Sequence, residues 1–282
     1  MKMMCAGNGI ATHTAWNVIT AISFLAAVML VGTMELAAQR PSSTDPLASD
    51  VYFKHRELFA SWRRGPIEFD QAAACGELQN ALGDGAIRCS IPFNQIKASL
   101  HPRTLAWLSF VDERLSVKWY CGVPTAPPLL DAGIWTIDQI SANEIQMEIL
   151  TTAKVTRIVW MDGRRHPPPT ELFYQGHTIG WFEGDELVIE STNFTFHPDG
   201  FEDHIHLPSS PLKKVTERYK VIAPDKLSLT WTHEDPLFVK KPFTWSTVLT
   251  KVTRPEAEEN DCNSDASLFE MELVAPDRYE GR

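Results

Sequence analysis

The sequence has no surplus of positive charge. Lys and Arg number 26 against 36 Asp and Glu, a formal net charge of −10, so a general electrostatic grip on nucleic-acid phosphates is excluded and no nucleic-acid partner is expected. It also lacks a P-loop, a dinucleotide-type glycine motif leading into a helix, and a basic stripe, which removes the usual nucleotide cradles. Its five cysteines include no C-x-x-C pair, and this rejects the common zinc spacings. No metal and no cofactor is expected. No internal repeat and no coiled-coil heptad runs through the chain. Charged residues make up 22% and hydrophobic ones 44%, a mixture that excludes disorder for most of the length and belongs to a folded globular protein.

What is present begins with an address. Ala15 to Val31 (AWNVITAISFLAAVMLV) carries no charge, follows Lys2, and precedes the small residues Ala37 and Ala38. This reads as an export segment. Two fates stay open: cleavage as a signal peptide, for which Leu36 is a poor residue three before a cut at Ala38, or retention as an N-terminal anchor at the lower length limit for about 30 Å of hydrocarbon. Either way the remainder is expected outside the cytoplasm, periplasmic or envelope-associated, with membrane contact only through an uncleaved N-terminal segment. In an oxidising compartment Cys75, Cys89, Cys121 and Cys262 allow two disulfides in three connectivities. We expect Cys75–Cys89 closing a local loop and Cys121–Cys262 tying the tail to the body.

Residues 1–39 therefore form the export or anchor segment, and Arg40–Asp50 (RPSSTDPLASD) has the composition of a linker. Val51–Trp62 and Glu68–Leu82 contain good helix formers and predict short helices within 40–85, ended by Gly83–Asp84–Gly85. From Ala86 the rhythm changes to two. In Glu144–Leu150 (EIQMEIL), Ile145, Met147 and Ile149 alternate with Glu144, Gln146 and Glu148, as in a strand with one dry face. Leu115–Cys121 and Lys226–His233 repeat the pattern, and Val215, Tyr219 and Val221 share a face with Glu217. Further strands are predicted at 86–93, 105–111, 134–140, 154–161, 178–182, 186–191 and 243–252. Turn residues at Asp162–Gly163, Glu183–Gly184–Asp185 and Pro224–Asp225 predict hairpins. No helix-length pattern separates successive strands, so the fold class is mainly all-β: an antiparallel β-barrel over 86–255, lipocalin-like barrel or sandwich, with an acidic tail at 256–282. Eight tryptophans lie beyond the export segment, where such rings either fill a barrel or line its cavity.

The densest chemistry is Arg157 to Pro167 (RIVWMDGRRHP), followed by Gly176 to Phe194 (GHTIGWFEGDELVIESTNF). With Glu217–Arg218–Tyr219 and the Asp235–Pro236…Pro242–Phe243–Thr244 close, these stretches resemble a family of exported bacterial proteins of unknown function. Its members share a D-G-R-x-H-P turn, a G-x-S-x-G-x-W-E-G-D-x-L-V-V hairpin, an E-R strand and a D-P…P-x-T close. The resemblance covers about residues 120–255 and implies a secreted β-rich domain, with no activity attached. Thr178 stands where that family has serine, and the ending around Cys262 (EAEENDCNSD) departs from it.

Gly176–Gly180 (GHTIG) superficially matches a nucleophile elbow, but a strand and a hairpin follow where the elbow needs a helix. His197, His204 and His206, with Asp199, Glu202 and Asp203, read as a solvated polar loop. Glu217 and Arg218, adjacent in a strand, must point to opposite faces and find separate partners. The expected function is binding of a small apolar or amphipathic molecule inside the barrel, with Trp119, Arg157, Trp160, Arg164, Trp181, Arg218, Trp231 and Asp235 as candidate contacts. The alternatives are an isomerase- or hydratase-type enzyme using the same cavity, with His166, His177 and Glu217 as acid/base candidates, or an envelope structural protein packed solid.

Overall fold

Nine of the strands close into a barrel. A computed structural model describes residues 54–65, 69–70, 73–75, 89, 91–110, 116, 120–131, 133–150 and 154–255. The expectations for Ala15–Val31, the linker, the Cys262 tail and most of Leu115–Cys121, Trp119 included, lie outside the described residues. Among the described residues no helix is long and apolar enough to cross a membrane.

The strands are β1 (Ser61–Arg64), β2 (Ile134–Ser141), β3 (Glu144–Leu150), β4 (Lys154–Trp160), β5 (His177–Glu183), β6 (Glu186–Thr192), β7 (His197–Glu202), β8 (Leu207–Ser209), β9 (Lys214–Ala223), β10 (Lys226–Glu234) and β11 (Phe243–Val252). Around the barrel they run β1-β11-β10-β9-β6-β5-β4-β3-β2, while β7 and β8 form a separate two-stranded sheet. An odd number of strands cannot alternate in direction all the way round. The one parallel contact falls between β4 and β5, at Trp160 opposite Ile179, so the strands flanking the 161–176 loop are not a hairpin and Asp162–Gly163 opens a long connection instead. The Glu183–Gly184–Asp185 and Pro224–Asp225 turns do join antiparallel neighbours, β5 to β6 and β9 to β10.

Period-two alternation places the dry face inward. Buried residues alternate through β3 at Ile145, Met147 and Ile149, through β4 at Val155, Arg157 and Val159, and through β10 at Leu227, Leu229, Trp231 and His233. Trp62, Trp135, Trp231 and Tyr219 are among the largest fully buried side chains. Gly180 is required by packing, because a Cβ there would lie 2.7 Å from Val159 Cγ1 and 2.8 Å from Met161 Sδ.

Three sequence expectations are corrected. Ser61–Arg64, of which Ser61 and Trp62 end the predicted helical segment Val51–Trp62, is β1, and it pairs with both β11 and β2; closing a sheet outweighs the local preference of its residues. The barrel thus draws a strand from before residue 86. Of the segments predicted as strands, the described residues of 86–93 hold no strand and the last of them, Phe93, opens α1 (Phe93–Lys97), while 105–107 end α2 (Pro102–Trp107), which has Pro102 in its first turn. Cys75 and Cys89 are joined as expected. Cys121 is also disulfide-bonded.

Candidate functional site

Alternation along four strands gathers polar groups at one level of the barrel interior. On β9 Glu217 projects inward between Val215 and Tyr219. From β4, Arg157 meets it with both terminal nitrogens, at 2.7 and 3.2 Å. Tyr219 donates its hydroxyl to the same carboxylate at 2.6 Å. Arg157 Nη2 also donates to Ser191 Oγ on β6, which hydrogen-bonds Thr178 Oγ1 on β5 at 2.9 Å. Both ion-pair side chains are at most 1% exposed. Burial opposes the Arg157 charge, but Glu217 and Tyr219 outweigh it and hold the guanidinium pKa above its usual value. The Tyr219 hydroxyl is pushed well up, first by burial and then by the Glu217 charge.

Beside this neutral pair stand donors that the protein does not satisfy. Trp231 pairs in register with Glu217 on one side and Trp245 on the other. Among the described residues, Arg157 Nε, Trp231 Nε1, Trp245 Nε1 and both ring nitrogens of His233 are buried without a hydrogen-bond partner. His233 stacks on Phe201 at 4.1 Å between centroids, nearly parallel. Its pKa is pushed well below normal, by burial and then by the Lys213 charge, so the ring is neutral with one N–H and one lone pair. Each unsatisfied buried polar group costs about 1–3 kcal/mol, and native interiors avoid that cost.

The β7–β8 hairpin and the segment before β9 cover this end. Where the sequence predicts a solvated loop, His197, Asp199, Glu202 and His206 are buried. Asp199 accepts from Ser116 Oγ and pairs with His206 Nδ1 at 2.9 Å. Glu202 accepts the backbone N–H of Ile205. His204 lies on the exposed side and pairs with Asp203. Glu202, Asp203 and His204 cluster at metal-ligand spacing, but these ion pairs account for them. Lys213 is fully buried, donating to Thr125 Oγ1, Ala126 O and Gly200 O.

Of the sequence-selected contacts, Arg157 and Trp231 face the interior. Asp235 is buried but accepts from Ser210 and Leu237, holding the turn after β10. Trp160 carries Arg164 over its ring at 3.8 Å, and Arg164 grips Asp162. Trp181 and Arg218 both bind Glu183 on the outer face, and Arg218 reaches Glu186 as well. The three acid/base candidates divide: His166 and His177 meet outside the barrel, Nδ1 to Nδ1 at 2.9 Å, whereas Glu217 is enclosed. His233 and Trp245 were not selected from sequence. Their parity with Leu229 and Trp231, and with Phe243, is the signal that marks them as inward.

Compared with known protein families, curated proteins and solved structures, the chain matches none.

Proposed function

We propose that this is an exported binding protein whose barrel takes one small amphipathic molecule, polar end against Arg157, Trp231, His233 and Trp245. The observation that carries this reading is the set of buried, unpartnered polar atoms on Arg157, Trp231, His233 and Trp245, with Trp231 lying opposite both Glu217 and Trp245 and His233 two residues further along β10. The Arg157 charge is spent on Glu217, so the molecule's polar end is an uncharged acceptor such as a carbonyl, ether or hydroxyl rather than a carboxylate. The apolar inner faces of β3, β6 and β10 suit a hydrocarbon body. Trp245 is only half-buried and lies beside fully buried Trp231, which supports access along β11. The disulfides support an oxidising location, and the D-G-R-x-H-P and W-F-E-G-D stretches support membership of the exported family they resemble.

Native mass spectrometry of the full chain purified from its own envelope tests the proposal. The expected result is a non-covalent adduct of small-molecule mass that is absent from a Trp231→Phe/His233→Phe variant with an unchanged circular dichroism spectrum. A wild-type spectrum at the polypeptide mass alone, identical to that of the variant, would overturn it in favour of a barrel packed solid.

A further inference from the structure

Outside the barrel, two histidines and a carboxylate form a chain whose proton positions follow from chemistry. His177 opens β5, Glu190 projects outward from β6, and His166 lies in the 161–176 loop. Asn193 fixes that loop by donating from its amide to the carbonyls of Pro167, Pro168 and Glu171 at 2.8–3.3 Å. Its backbone is left-handed, φ 59°, a conformation asparagine tolerates well. Thus held, His166 places Nε2 3.2 Å from Glu190 Oε1 and Nδ1 2.9 Å from His177 Nδ1.

An ionised carboxylate only accepts, so His166 Nε2 carries the hydrogen and its Nδ1 presents a lone pair. The contact between the two Nδ1 atoms then requires the hydrogen on His177. This leaves His177 Nε2 unprotonated, and it has no hydrogen-bond partner among the described residues.

We infer that Glu190, His166 and His177 form a proton relay on the barrel's outer face, with His177 Nε2 accepting a proton from a hydroxyl-bearing substrate or water. The O–H bond breaks, its electron pair stays on oxygen, and the hydrogen bonds to Nε2. The Nδ1 hydrogen of His177 can then pass to His166, so the positive charge comes to rest beside Glu190 instead of beside Arg164. The reverse shift returns the proton to a departing oxygen. His177 is the catalytic residue, while His166 and Glu190 are positioning residues. Burial first, then His166 and Arg164, lowers the His177 pKa, with Asp162 opposing, so the ring is neutral and competent near pH 7. Phe173, its ring centroid 6.0 Å from that of His177, gives the site an apolar flank. The site is separate from the barrel interior and stands or falls independently of ligand binding there.

Two measurements on the full chain test it. Long-range proton–nitrogen NMR with labelled histidine at pH 8 should find His166 as the Nε2–H tautomer and His177 as the less common Nδ1–H tautomer. With p-nitrophenyl acetate as the probe, His177→Gln should abolish hydrolysis above that of free imidazole. Glu190→Gln should lower kcat about tenfold, leave KM unchanged and move the midpoint of the pH profile. An Nε2–H tautomer at His177, or full activity in His177→Gln, would overturn the relay. So would a zinc addition that displaces both Nδ1 resonances, which would assign a metal site instead.

Discussion

Removing one member of the Arg157–Glu217 pair should destabilise the barrel far more than removing both. In Arg157→Met the Glu217 carboxylate loses the two guanidinium contacts at 2.7 and 3.2 Å and keeps the Tyr219 hydroxyl at 2.6 Å, with no water access at 0% side-chain exposure. In Glu217→Leu the guanidinium stays buried with Ser191 alone among its remaining partners. Uncompensated buried charge of this kind costs about 3–5 kcal/mol. For a folded body of roughly 200 residues that is about 6–20 °C in Tm, at about 2–4 °C per kcal/mol. The double variant Arg157→Met/Glu217→Leu leaves no charge, only the Tyr219 and Ser191 hydroxyls short of one bond each, at about 1 kcal/mol apiece. It should lie within about 2 kcal/mol of wild type, an interaction free energy of several kcal/mol in the double-mutant cycle. Urea unfolding followed by tryptophan fluorescence supplies all four corners. Single variants losing less than about 1 kcal/mol, or a double variant losing the sum of the two, would refute the assignment of a coupled, dehydrated pair.

Acid should weaken the fold between about pH 6.5 and pH 4. The His197 pKa is depressed to about 4, chiefly by burial and next by Lys213, and its Nδ1 accepts the Asp199 backbone N–H, which only the neutral ring can do. The unfolded chain binds this proton near pH 6.5 and the folded one does not, so stability is intact above pH 6.5. It declines by about 3 kcal/mol as pH falls to 4, at 1.36 kcal/mol per pH unit. A His197→Gln variant should show a shallower slope of stability against pH; an unchanged slope would contradict the assignment. Asn193→Ala removes three loop hydrogen bonds and disfavours the left-handed backbone, so trypsin should cut at Arg164 or Arg165 at least tenfold faster than in wild type, with the barrel's far-ultraviolet spectrum retained. Reduction of Cys75–Cys89, whose sequence separation is 14, should lower stability by about 3 kcal/mol on loop-closure grounds, and thiol titration of the native chain should detect no reactive Cys75 or Cys89.

The barrel was legible in the sequence where one face is dry and the other wet. EIQMEIL and KLSLTWTH each announce a strand and its inward residues, and the opposed directions of Glu217 and Arg218 follow from their adjacency alone. What the pattern hides is closure. Ser61–Arg64 is four residues long, too short for periodicity to register, and it becomes a strand because β2 and β11 each need a neighbour. The parallel β4–β5 contact was equally hidden, being a consequence of strand number. For the sites, residue type drew attention to the D-G-R-x-H-P stretch, yet spacing could not reveal that His166 meets His177 while Glu217 lies on the other side of the wall. Asp235, a candidate contact by residue type, is claimed by the Ser210 amide and hydroxyl, a pairing across 25 residues that the sequence does not show. His233 ends the Lys226–His233 alternation on its dry face, but nothing in the sequence reveals that Phe201 of the β7–β8 hairpin stacks over it.

We propose that the unsatisfied donors of the interior meet a guest molecule's acceptor. A high-resolution crystal structure of the chain purified from its native source without unfolding tests this. The expected result is density for an organic molecule with an uncharged oxygen within about 3 Å of Trp231 Nε1 and either Arg157 Nε or His233. Isolated ordered waters satisfying those same atoms, with side chains closing the remaining space, would contradict it.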